Sequence, residues 1–182
     1  MEDLDEIAFC VRQAYEPAEL QRIDRQRAAS IYSDPLDVEL LSAVGVPQVE
    51  ELEISFNLIS EAPRLRDYVA GRFGYSSDWP DDVRCINSKY DFVYGIDKSR
   101  GDSVICIDLT GKYHSALFIN SKIRYFVAFL AECRLHFHRR RLGSHSRDAS
   151  LQQALNWMDR IDPGAIRQEW WQGVFEDMKL YD

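Results

Sequence analysis

Four histidines and one cluster of carboxylates are the side chains whose chemistry would matter most if the fold brought them together. His136 and His138 flank Phe137, while His114 and His145 stand apart. Side chains two positions apart on a helix point to different sides, so this pair is a poor metal clamp. It reads as two ordinary residues near a helix end. Asp78, Asp81 and Asp82 surround Trp79. Such carboxylates serve metal binding or acid–base work, but here no glycine and no twelfth-position carboxylate complete a calcium loop. Two other readings of the segment stand. Trp79 is an exposed aromatic anchor with a charged rim, or it is folded under its own loop. Cys10, Cys85, Cys106 and Cys133 are widely spaced and form no Cys-x-x-Cys pair. Zinc-ribbon and redox motifs are therefore not signalled, and four reduced, mostly buried thiols are expected, as suits a reducing cytosol. The phosphate-binding glycine loops, the nucleophile elbow, the His-Glu-x-x-His helix and the zinc-deaminase signature are all absent. The expectation is a protein that is not an enzyme, with no catalytic residues, no cofactor and no metal.

The elements that must position these residues follow from periodicity. The 182 residues fit one domain with a sizeable core. Leu4, Ile7, Ala8, Val11 and Tyr15 recur at helical spacing, and Pro17 ends that helix. Asp34-Pro35 reads as a cap and first helical position, with Leu36, Leu40, Leu41 and Val44 as a stripe ended by Gly45 and Pro47. Residues 49–58 alternate apolar and polar, which predicts a half-buried strand. Ser76–Asp82 is a loop by composition. Strands are expected at Val83–Ile86, Phe92–Ile96, Ser103–Leu109 and Tyr113–Ile119, with the Ser103 strand apolar enough to lie inside a sheet. Short loops between them favour antiparallel hairpins. Asn120-Ser121 is expected to cap the longest helix, whose apolar stripe includes Ile123, Phe126, Val127, Leu130 and Cys133. Two more helices follow, about Ser150–Ile161 and from Asp162-Pro163 onward, with Trp170 on the buried stripe of the last. The plan is α+β: a mixed, largely antiparallel sheet flanked by helices, with a C-terminal helical block. Residues 1–16 form an N-terminal helix, and helices within 147–182 pack on the same core.

The charge is localised. The formal net charge is −8, and residues 33–82 hold eleven acids against three bases, while acids and bases balance elsewhere. A surface of that sign repels phosphate backbones and speeds encounter with a cationic partner. Glu51 and Glu53 project from one face of the expected strand. Together with Asp78, Trp79, Asp81 and Asp82 they are the candidate partner-binding residues. That assignment requires Trp79 to be partly exposed and the two acidic groups to share a side. The basic run Arg134–Arg147 reads as a solvated helix terminus or an internal partner for the acidic block. No apolar stretch is long enough to span a membrane.

Three segments carry a family resemblance. Ile105-Cys106-Ile107-Asp108, Phe118-Ile119-Asn120-Ser121 and Phe126–Leu130 resemble the strand, turn and helix of the SUKH superfamily of bacterial immunity proteins, in its fourth branch. Leu41–Pro47 is similar to an upstream family segment, and a tryptophan in the last helix, here Trp170 or Trp171, also recurs. The resemblance covers about residues 17–178, and its motifs are structural. It implies a SUKH-like single domain and a cytoplasmic inhibitor that neutralises a cognate polymorphic toxin, commonly a nuclease or deaminase. It implies no direct contact with nucleic acid or membrane, and it transfers no binding residue. A SUKH-type scaffold or regulatory interaction domain without a toxin is the alternative, ahead of an enzyme or small-ligand binder.

Overall fold

The innermost apolar strand organises the molecule. In the computed structural model, which describes residues 4–180 apart from 51, 53, 75–78, 111–115 and 144–146 and the side chains of Phe73, Arg147 and Leu180, β5 (Ser103–Asp108) lies between two antiparallel neighbours. The four-stranded sheet runs β3 (Val83–Lys89), β4 (Phe92–Asp97), β5 and β6 (Ala116–Asn120) in sequence order. Each strand pairs antiparallel with the next, as short connections dictate. Alternation along β5 feeds two cores. Val104 and Cys106 face the larger one, Ile105 and Ile107 the smaller, and all four are buried.

The smaller core is covered by α4 (Leu65–Phe73) through Leu65 and Val69. The larger core holds α5 (Ile123–Arg141), whose residues 123–133 are buried on every side. A helix buried all round must be surrounded rather than laid on one surface. α1 (Leu4–Ala14), α6 (Arg147–Ile161) and α7 (Glu169–Leu180) supply the rest of that surround. The expected single stripe on α5 therefore understates its burial.

The N-terminal half is built from short pieces. A two-residue ladder joins β1 (Leu20–Gln21) to β2 (Val46–Pro47). Between them lie α2 (Arg25–Ile31), α3 (Pro35–Glu39) and a π-helical turn, Leu40–Val44. Asp34 caps α3 by accepting from the Leu36 N–H at 2.9 Å, with Pro35 at the first position. Gly45 ends the turn at φ +103°, where a β-carbon would lie 2.6 Å from the Gln21 carbonyl oxygen. Only glycine permits both that backbone and that approach. Leu36, expected on the apolar stripe, is 36% exposed instead.

Four other expectations are corrected. Among the described residues of 49–58 none belongs to a strand ladder, and only Ile54 makes an isolated bridge. Leu52 takes φ +50° and the Asn57 N–H turns back to Ser55 O, so the extended run is broken twice. Ile54 and Phe56 are buried all the same, so alternation here records burial without pairing. The strand expected to stop at Ile86 continues to Lys89. α5 begins at Ile123 after Lys122 with no side-chain cap, because the Asn120 amide is engaged elsewhere. α7 begins at Glu169, since Asp162–Gln168 form turns. On α7 both tryptophans pack on the larger core, Trp171 fully buried and Trp170 partly.

Candidate functional site

The most distinctive surface feature is an apolar groove of about 610 Å³ where the sheet outruns its helical cover. Tyr94 and Cys106, directly paired across β4 and β5, form its floor. Phe92 and Leu117, on the strands either side of β5, stand at its edges and are 45% and 48% exposed. Trp170, Val174 and Met178 of α7 form the opposite wall. Gly173 opens that wall: a β-carbon there would meet nothing within 4 Å. Asp177 is the one charged side chain in the lining among the described residues. Leu52, between Glu51 and Glu53 in sequence, also contributes.

The candidate partner residues are placed as follows. Glu51, Glu53 and Asp78 lie outside the described residues. Trp79 is 2% exposed and packs in the smaller core with Leu65, Val69 and Val83. The exposed-anchor reading of Trp79 is therefore overturned, and the reading of a tryptophan folded under its loop holds. The cause is that α4 alone cannot close the smaller core, and the indole fills the remainder. Asp81 pairs with Arg66 at 2.8 Å, and Asp82 is exposed. Both precede Val83 at one end of β3, whereas Glu50 bonds Lys89 at the other end. Seven strand residues span about 20 Å, so Glu50 and Asp81 mark separate places on the surface.

Several acids of the 33–82 block are neutralised from outside it. Glu39 pairs with Arg25, Glu50 with Lys89, and Asp34 and Asp37 both with Arg124. Glu61, Asp67 and Asp82 are exposed and have no ion-pair partner among the described residues. Two arginines of the basic run bind acids outside the block. Arg134 binds Glu19 at 2.7 Å and lies over the Tyr15 ring, and Arg139 binds Glu132 at 2.5 Å.

The Asp37 carboxylate is a buried polar group in the interior. It shares the Arg124 guanidinium with Asp34, each at 2.9 Å, and its second oxygen has no hydrogen-bond partner. Burial pushes Asp37 up to about 6, and Arg124 offsets only part of that. A carboxyl raised in the folded state holds its proton longer there than in the unfolded chain. Stability from this group is therefore greatest at low pH and falls as pH rises from about 4 to about 6. The difference in unfolding free energy between the wild type and Asp37→Asn should shift against the wild type across that window. Urea denaturation at pH 4 and pH 7 measures it, and a difference that does not move contradicts the assignment.

His136 is fully buried and its Nδ1 meets Ser150 Oγ at 3.0 Å, whereas His138 is exposed. His114 and His145 lie outside the described residues. All four cysteines are free and buried, and burial pushes the Cys85 and Cys106 thiols up to about 12. Among the described residues, no group of three or more His, Cys, Asp or Glu could hold a metal ion. No helix among them is long and apolar enough to cross a membrane.

The groove was missed in the sequence because its residues come from six separated segments. Phe92 read as a strand member and Trp170 as core. The usable signal was Gly173, a glycine inside an otherwise regular helical stripe. Comparison with known proteins finds no matching protein-family model, no curated relative and no solved structure.

Proposed function

We propose that this chain is an immunity-type inhibitor, a cytoplasmic protein that binds and neutralises a cationic protein toxin of the kind that attacks nucleic acids. The observation that carries this reading is the charge distribution: the whole excess of −8 falls within residues 33–82. Exposed acids such as Glu61, Asp67 and Asp82 project it to solvent. A nuclease or deaminase presents a basic cleft for its substrate, and an acidic inhibitor complements that cleft and accelerates encounter. The likeness of Ile105–Asp108 and Phe118–Ser121 to SUKH immunity proteins supports the same reading. A standard complex covers about 800 Å² of each partner, a small part of this 9600 Å² surface. The apolar groove also suits an interaction domain with no toxin partner. A toxin reading frame beside the gene separates the two.

The test is co-expression with the product of the neighbouring reading frame, followed by association kinetics. The wild type should bind that product and protect the host from it. Replacing the exposed acids Glu61, Asp67 and Asp82 with lysine should slow association by roughly tenfold or more at low salt, and by less at high salt. An unchanged rate would remove this surface from contention. No binding and no protection by the wild type would overturn the inhibitor reading itself.

A further inference from the structure

The geometry points to the groove between β4–β6 and α7 as an anchor pocket for a large apolar side chain flanked by lysine or arginine on a protein partner. This deepens the inhibitor reading and rests on it as to the kind of partner. Exposed Phe92 and Leu117 face each other across a floor that is itself buried, so the concavity presents apolar surface to solvent at its rim. Contiguous exposed apolar surface of this kind marks contact sites, and binding hot spots are aromatic or aliphatic anchors seated in pockets.

Charge selects the occupant. Among the described residues no lysine or arginine lines the groove, and Asp177 stands in its wall. Asp91 precedes Phe92 in the chain, and Asp108 sits opposite Phe92 in the β4–β5 register. Glu51 and Glu53 flank Leu52 in sequence. A second copy of this chain brings the same −8 excess and is repelled. A cationic segment gains at the rim what an acidic one loses, while its central apolar side chain fills the space that Gly173 leaves open.

Two short blocked peptides test this: phenylalanine and leucine between lysines, and the same pair between glutamates. Amide and indole resonances of the full chain report binding. The lysine peptide should shift the Trp170 indole and the Gly173 and Leu117 amides, and bind at least tenfold tighter than the glutamate peptide. Gly173→Leu should abolish binding of both, because its side chain enters the groove from a position with no neighbour to displace. Asp177→Asn should shrink the preference for the lysine peptide, which keeps the test open even if Gly173→Leu lowers the melting temperature. Equal binding of the two peptides overturns the proposal. So does an absence of shifts with both, or self-association seen by sedimentation. A neighbouring gene product that binds the wild type and Gly173→Leu alike removes the pocket and leaves the inhibitor reading. A lysine peptide that binds while that product does not removes the inhibitor reading and leaves the pocket.

Discussion

Phe126→Ala lowers the unfolding free energy by about 3–5 kcal/mol, the range for a large aromatic deleted from a packed core. The ring is wholly buried on α5 and lies between the sheet and α7 in the larger core. It stacks on Tyr94 of the sheet at 6.3 Å between centroids and meets Phe56 edge-on at 5.8 Å. Trp170 and Trp171 of α7 each approach it edge-on at 6.2 Å. Such pairs add to area burial, and no flexible neighbour stands ready to fill the hole. Urea denaturation measures the loss. A change under about 1 kcal/mol would mean that the sheet, α5 and α7 do not share one core.

Asn120→Ala should cost about 2–5 kcal/mol, for a different reason. Its side chain donates to Asp162 Oδ2 at 3.0 Å and accepts from the Trp171 indole at 3.0 Å. The Ser121 N–H donates to the same Asp162 oxygen at 2.8 Å. Asn120, Asp162 and Trp171 are all buried, so deleting the amide leaves a carboxylate and an indole N–H short of a partner. Because the link joins β6 to α7, its loss should also loosen the C-terminal helix. Hydrogen exchange along α7 should therefore rise more in Asn120→Ala than in Phe126→Ala at matched stability. Equal exchange in the two variants contradicts a local role for the link.

These two residues show what the sequence could and could not tell. Phe126 was legible as core because a local period places it on a stripe, and β5 was legible because six adjacent residues suffice to mark a buried strand. Asp34-Pro35 and Gly45 were likewise read correctly, since a cap or a positive-φ stop is a property of neighbours. Asn120 was not legible. Its type suggested a cap, but its partners lie 42 and 51 residues away, and a distant carboxylate outbids the helix that follows. Residues 49–58 failed for a related reason: a period of two reports which side chains enter the core, and says nothing of whether a neighbouring strand exists to pair with. The groove is the extreme case, since it is defined by what the helices fail to cover.

The α1 helix is completed by the other end of the molecule. Its buried face packs on α5, and Glu6 receives Trp157 and Arg160 of α6, with Glu6 and Trp157 151 positions apart in the chain. On a ribosome adding about 5–20 residues each second, that face waits on the order of 10–30 s for its partners. During synthesis an apolar helix is therefore exposed to whatever chaperone or neighbouring chain is at hand. Closure of the larger core is a late, long-range event, the kind of topology that slows folding in a small protein.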